Sequence, residues 1–219
     1  MTPPSASRSP TAWRTAGVQE RSRRTEAALA RALSELSREQ PFEDVTVADI
    51  ARRAGVAVGT VYRRFRNKRA LLHLADTAFV DDCRDAFDEE LSDERVAGLN
   101  LEGVARAYIG LMIRKFRQHR TAVLQVQRNA DPRDGAVYAR RAAEFNAHVH
   151  GRFRDLLRQR RREIKHADFE TALNLAIFFA SAAARDAIWR QSLKAYPVQV
   201  DDERLVRELT FAFVAYLRS

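Results

Sequence analysis

The chain contains a single cysteine, Cys83, in 219 residues. One cysteine excludes an intramolecular disulfide and any zinc site that needs two or more thiolates. Glycine and proline are also scarce, at 8 and 6 residues. Because these two residues mark turns, their scarcity predicts a chain that is mostly helix, and no segment has a convincing strand pattern.

Long apolar runs are missing as well. The most apolar stretch, residues 172–184, is interrupted by Asn174 and Ser181, and it is shorter than the roughly 18–20 residues that cross a bilayer. Residues 1–19 lack the apolar central segment of a secretory signal peptide. These absences predict a soluble cytoplasmic protein with no membrane partner.

Positive charge is concentrated near the N-terminus. The formal net charge is +9, and residues 1–70 hold 14 Lys and Arg against 7 Asp and Glu, whereas residues 71–219 hold 24 against 22. A basic segment joined to a nearly neutral remainder is typical of a module that binds a polyanion. A chain that is merely rich in arginine would show the same bias, so both interpretations stay open.

The first 70 residues divide into short segments with distinct signals. Residues 1–18 are rich in Pro, Ser, Thr and Ala and are predicted to form a disordered basic arm. A first helix is predicted over residues 21–38, because Leu29, Leu33 and Leu36 repeat on one face and Pro41 ends the pattern.

Residues 46–68 have the pattern of two short helices joined by a tight turn. Thr46 is a favourable N-cap, with Asp49 three residues later as its capping-box partner. Gly55 ends the first of these helices, at a position where positive φ is favoured. A second short helix is predicted over residues 58–65. The pattern is that of a helix-turn-helix, whose second helix enters the DNA major groove.

The outer face of this second helix carries most of the predicted DNA contacts. Gly59 would let the backbone approach DNA closely, and Thr60 and Tyr62 could contact phosphates or a thymine methyl group. Arg63 or Arg64 could pair with a guanine edge through two hydrogen bonds. Residues at helix N-termini are predicted to lie near phosphates. The full predicted DNA-binding set is Thr46, Gly59, Thr60, Tyr62, Arg63, Arg64 and Lys68.

The spacing T-V-x-x-I-A-x-x-A-G-V-x-x-G-T-V-Y-x-x-F-x-x-K over residues 46–68 resembles the DNA-binding signature of TetR-family transcriptional regulators. The resemblance covers residues 21–75. It implies an all-α fold, with an N-terminal three-helix helix-turn-helix domain at residues 19–68 and a larger helical ligand-binding and dimerisation bundle at residues 69–219. Two positions depart from the family pattern: Ala57 replaces a hydroxyl that often caps the second helix, and Arg64 replaces a common His.

The resemblance further implies a homodimeric repressor that binds double-stranded DNA at a palindromic operator and is released by a small-molecule effector. Dimerisation is expected through the two C-terminal helices. In the last of these, Phe211 and Val214 lie off the main apolar stripe, so apolar residues cover more of the helix than one core contact requires. A buried core helix of a monomer is the alternative interpretation.

Aromatic residues are frequent between residues 108 and 189, and some of them could line an apolar effector pocket. Each one is also compatible with ordinary core packing at helical spacing. The predicted effector contacts are Tyr108, Met112, Phe116, Phe145, His148 and Phe178. The sequence leaves the identity of the effector open.

The sequence gives no sign of catalysis, of a metal site or of a cofactor. His148 and His150 are two residues apart and therefore point to different faces of a helix. We therefore predict a protein that is not an enzyme and has no metal or cofactor. Two other functions remain as alternatives: a nonspecific nucleoid-type DNA-binding protein and a helical enzyme with a basic N-terminus.

Overall fold

The computed structural model describes residues 10–129, 133 and 135–219, and the regular structure within them is helical, without a strand. The all-α fold class predicted from composition is therefore confirmed. The chain divides into two units, one ending at Ala78 and one running from Phe79 to Ser219. The division falls inside a helix, ten residues beyond the predicted boundary at residue 68.

The first unit contains α1 (Pro10–Glu39), α2 (Val47–Arg53) and α3 (Val58–Arg64). Its core is formed by side chains that are at most 6% exposed: Leu29, Leu33, Leu36, Phe42, Val45, Ile50, Ala51 and Val61. A 3₁₀ turn at Lys68–Leu71 packs against α1. Because this turn belongs to the first unit, that unit extends past the helix-turn-helix itself.

The first helix is longer than its apolar pattern indicated. The structure begins α1 at Pro10, where the sequence predicted disorder as far as residue 18. Proline at the first helical position lacks only an N–H that would have no partner within the helix, and its fixed φ suits the helical conformation. Residues 1–9 of the predicted arm lie outside the described residues.

The second unit begins within α4 (Leu72–Glu90) and continues through α5 (Asp93–Val96), α6 (Leu101–Asn129), α7 (Gly135–Arg158), α8 (Phe169–Arg185) and α9 (Asp202–Arg218). Helix α6 is central, because it packs against α7, α8 and α9. It runs without interruption from Leu101 to Asn129. No glycine or proline occurs between residues 111 and 129 to break it.

Helix α8 continues as a π-helical turn, Asp186–Arg190, and ends at Gln191, whose φ is +56°. By length and composition alone, the stretch Phe169–Arg190 could cross a membrane. One face of it, which includes Ala172, Ala176 and Ala180, is buried in the core of the second unit.

Candidate nucleic-acid interface and effector region

Helix α2 is capped at its N-terminal end. The Thr46 hydroxyl accepts a hydrogen bond from the backbone N–H of Asp49 at 3.0 Å, and the Asp49 carboxylate accepts from the N–H of Thr46 at 3.1 Å. The hydrogen bonds from the Thr46 hydroxyl and N–H lower the pKa of Asp49 below its ordinary value. The predicted capping box is therefore present, and it uses the hydroxyl that was also a candidate for phosphate.

The turn after α2 depends on Gly55, whose φ is +69°. The backbone N–H of Val56 donates to the carbonyl of Ala51 at 2.9 Å and closes the turn. A side chain at position 55 would meet no neighbour, so it is the backbone conformation that favours glycine here. This turn sets the direction in which the chain enters α3.

Helix α3 is anchored by Val61, which is 1% exposed, and presents its other side to solvent. Tyr62 is 59% exposed, and a Cβ added at Gly59 would meet nothing within 4 Å. Arg63 is exposed and, within the part of the chain that the structure describes, makes one polar contact, from Nη2 to the Thr60 hydroxyl at 3.2 Å. These four residues form one accessible surface, which we call the α3 surface: Gly59, Thr60, Tyr62 and Arg63.

The other basic residue of α3 is held by α1. Arg64 Nη1 lies 2.5 Å from the Ser22 hydroxyl oxygen and 3.2 Å from Glu26 Oε1. The Ser22 hydroxyl in turn donates to Glu26 Oε1 at 3.1 Å. The structure thus separates Arg63 and Arg64, which the sequence treated as equivalent candidates.

Lys68 is held by the segment between α1 and α2. Its Nζ donates to the backbone carbonyls of Phe42, Glu43 and Val45 at 2.7, 3.0 and 2.9 Å. It also lies 4.5 Å from the centre of the Phe42 ring, in a cation–π contact. An ammonium group has three N–H donors, and each of these has a carbonyl acceptor.

Two exposed arginines beside this region were not predicted as DNA contacts. The side chains of Arg66 and Arg69 are exposed and make no ion pair or hydrogen bond with any described residue. By contrast, Arg53 of α2 binds Glu39 at 2.9 Å through both terminal nitrogens. The sequence signal was available, since both unpaired arginines flank Lys68, but charge counting cannot tell paired arginines from unpaired ones.

In the second unit, two of the predicted effector contacts are core residues. Tyr108 is 1% exposed and stacks on Phe153 with 3.8 Å between ring centres. Burial raises the pKa of Tyr108 to about 12, and its hydroxyl lies 3.4 Å from that of Ser181. Met112 is 3% exposed. Both side chains fill the core around α6.

Two other predicted contacts, Phe116 and Phe145, belong to a partly exposed group of aromatic rings, which we call the aromatic cluster. Between ring centres, Phe116 lies 5.0 Å from Trp189. By the same measure, Phe79 lies 6.5 Å from Trp189 and 6.4 Å from Phe145. The Trp189 Nε1 is buried and has no hydrogen-bond partner among the described residues. Sequence reasoning missed both Phe79 and Trp189 because they lie on α4 and on the π-helical turn.

The last two predicted effector contacts lie away from this cluster. His148 is on α7, with its Nε2 at 2.7 Å from the Asp88 carboxylate of α4. Phe178 is on α8 and is 60% exposed. The six predicted residues therefore do not form one site. Within the described residues, no group of three His, Cys, Asp or Glu side chains could hold a metal ion.

Helices α8 and α9 together expose a set of large apolar side chains, which we call the α8–α9 face. Phe178 and Phe179 are 60% and 50% exposed, and Phe211 is 71% exposed. Phe179 also contacts Tyr216 across the two helices, at 5.7 Å between ring centres. Leu175 extends the face along α8, and the ring centres of Phe178 and Phe179 lie 5.9 Å apart, so the exposed residues of α8 are contiguous.

Comparison with known proteins gives one match in sequence. Residues 29–75 match the family model described as bacterial regulatory proteins, tetR family. This segment includes the C-terminal part of α1 and all of α2 and α3. No curated protein matches the chain in sequence.

Solved structures share the fold over most of the chain. The superantigen PfiT has a TM-score of 0.64 at 14% identity and covers 86% of this chain and 95% of its own. The fatty acid degradation regulator FadR from Bacillus halodurans has a TM-score of 0.60 at 15% identity, with coverages of 89% and 95%. The TetR-family regulator PfmR from Thermus thermophilus has a TM-score of 0.55 at 13% identity, with coverages of 85% and 97%. At such identities the likeness concerns the fold, because one fold can serve different functions.

Proposed function

We propose that the chain is a member of the tetR family of bacterial regulatory proteins, whose family model matches residues 29–75, and that it is a dimeric repressor released from a palindromic operator by a small molecule. The observation that carries this proposal is the α3 surface. An anchored short helix with an exposed glycine, tyrosine and arginine and a half-buried threonine offers the groups that contact base edges and phosphates. The protein would act by binding in the cytoplasm, without catalysis.

DNA recognition would depend on the residues of α3 that have free polar groups. Arg63 can donate two parallel hydrogen bonds to a guanine edge once it leaves Thr60. Tyr62 and Thr60 can bind phosphates or a thymine methyl group, and Gly59 leaves room for the backbone to approach. Arg66 and Arg69 add positive charge beside this surface, where phosphates would lie.

A second copy of the chain is the proposed occupant of the α8–α9 face. A soluble monomer rarely exposes a continuous set of large aromatic side chains. A two-fold axis through the face would pack α8 and α9 against their own symmetry mates. The dimer would then present two α3 surfaces to successive major grooves, about 34–36 Å apart, which matches a palindromic site.

The effector would bind at the aromatic cluster rather than at all six residues predicted from the sequence. Phe116, Phe145 and Trp189 are partly exposed there, and the unpartnered Trp189 N–H could donate to a ligand acceptor. Tyr108 and Met112 would support the site from the core. A ligand can release DNA only by binding the free form more tightly than the DNA-bound form.

In-vitro selection of bound duplexes from a random pool tests the DNA claim directly. We expect a palindromic consensus, and competitor DNA should leave the binding of that consensus intact. Arg63→Ala should cost about 1–3 kcal/mol on the selected site and relax the preference at one base pair of each half-site. Equal binding to random duplex, with a steep loss in salt, would instead identify a nonspecific DNA-binding protein.

Fluorescence tests the effector claim. The chain has 2 tryptophans, so a Trp13→Phe variant leaves Trp189 as the single emitter. We expect 1-anilinonaphthalene-8-sulfonate to quench this emission and Phe145→Ala to weaken the quenching, because both rings would contact the probe. Emission that stays constant at saturating probe would contradict an effector site at the aromatic cluster.

A further inference from the structure

Arg64 is tied to a different helix from the one that carries it. Its guanidinium donates to Ser22 at 2.5 Å and to Glu26 at 3.2 Å, both on α1. The side chain of Arg64 is 31% exposed and that of Glu26 is 42% exposed. The contact therefore joins the last residue of α3 to the first helix of the same unit.

Its neighbour Arg63 gives a direct contrast. Arg63 contacts only Thr60 among the described residues, one turn earlier on the same helix. Moving Arg63 toward DNA breaks one weak local contact. Moving Arg64 toward DNA would break its contacts with Ser22 and Glu26 and leave the Glu26 carboxylate without its cation next to a polyanion, which is unfavourable.

We infer that Arg64 is a positioning residue, which holds the C-terminal end of α3 against α1, and that Arg63 alone of this pair contacts a base. This inference rests on the proposed function, because it assigns roles within the proposed DNA contacts. An arginine suits the positioning role, since its guanidinium has several donors in a fixed plane and can bind Ser22 and Glu26 at once.

The test compares base preference and affinity in the full-length protein. Wild type first selects its site from a random pool, and each variant then selects from the same pool and is titrated on the wild-type site. The variants are Arg64→Met, Arg64→Lys, Glu26→Gln and the double variant Arg64→Met with Glu26→Gln. Arg63→Met is the matched control, because it removes the adjacent charge from the same helix. Thermal unfolding of each variant checks that it is folded.

We expect Arg64→Met to weaken binding about twofold to fivefold, the range of a partly exposed ion pair, with the selected consensus unchanged. The same substitution should have a smaller effect in the Glu26→Gln protein, because its partner is already absent. Arg64→Lys should bind more tightly than Arg64→Met and no more tightly than wild type, since an ammonium can still donate to Glu26 but lacks the planar guanidinium. Arg63→Met should change the preferred base at one position.

Two results would overturn the inference while leaving the proposed function standing. One is a changed base preference in Arg64→Met. The other is an effect of Arg64→Met that is just as large in the Glu26→Gln protein. If wild type itself selects no sequence, the proposed function fails and the assignment of roles to Arg63 and Arg64 fails with it.

Discussion

Lys68 shows how a residue in a recognised motif can have an internal role. All three of its donors bind carbonyls of the segment between α1 and α2. We expect Lys68→Met to lower the free energy of unfolding by about 1–2 kcal/mol, because three backbone carbonyls, two of them in part-buried contacts, lose a charged donor. Urea denaturation measures this change.

The neighbouring Arg69 provides the control for Lys68. Its side chain is exposed and unpaired among the described residues, so Arg69→Met should change the free energy of unfolding by less than about 0.5 kcal/mol. If Lys68→Met were equally neutral in stability and weakened binding to every DNA sequence alike, Lys68 would be a phosphate contact, as its position in the motif first predicted.

Cys83 is the second residue with a measurable consequence. It is 1% exposed, and burial raises the pKa of its thiol to about 12. Because the thiolate is the reactive form, we expect no reaction with Ellman's reagent at pH 8 in the folded protein and one equivalent in urea. Rapid reaction without denaturant would show that the core of the second unit opens readily.

Among the elements, the turn between α2 and α3 depends most on one residue. Gly55 has a φ of +69°, and an L-residue with a Cβ costs about 1–2 kcal/mol in this conformation. Gly55→Ala should therefore lower the free energy of unfolding by about that amount and weaken DNA binding. Gly98→Ala is the control, because Gly98 has equal space but no positive φ. If the two substitutions lowered the free energy of unfolding equally, the positive φ of Gly55 would not explain the loss.

The elements of the helix-turn-helix could be predicted because their signals are local. Thr46, Asp49 and Gly55 act within four residues of their own positions, and the structure has α2 and α3 within one residue of the predicted bounds. The roles of Arg64 and Lys68 could not be predicted in this way. The partners of Arg64 lie 38 and 42 residues away in sequence and those of Lys68 lie 23–26 residues away, and only the folded chain brings them together.

The six predicted effector contacts do not lie at one site, and the reason is related. Helical spacing indicates which side chains share a face of one helix, but it does not indicate which faces of different helices meet. Tyr108 and Phe116 lie on the same helix, yet the first stacks in the core on Phe153 and the second meets Trp189. Trp189 lies on a π-helical turn, which has no simple pattern in sequence.

For the whole molecule, the α8–α9 face leads to a prediction about oligomeric state. Phe178→Glu with Phe211→Glu places two charges where a second copy is proposed to pack. We expect this variant to sediment as a folded monomer and to bind the palindromic site at least tenfold more weakly, since both half-sites are no longer held together.

Val137→Glu is the matched control for that variant. Val137 is also an exposed apolar residue of the second unit, at 49%, but it lies on α7. The control should remain dimeric. A dimer that survives both substitutions on the α8–α9 face would exclude this face as the interface, and a monomeric wild type would exclude dimerisation itself.

The ion pairs between α1 and the helix-turn-helix have a practical consequence for any titration of this protein with salt. Arg53 and Arg64 bind Glu39 and Glu26 in positions that are partly open to water, and ions screen such pairs. Added potassium chloride would weaken the ion pairs that hold the helix-turn-helix against α1, and at the same time it would compete for phosphates. The slope of affinity against ionic strength would therefore overstate the number of phosphates contacted, and a repeat with Glu26→Gln would separate the two contributions.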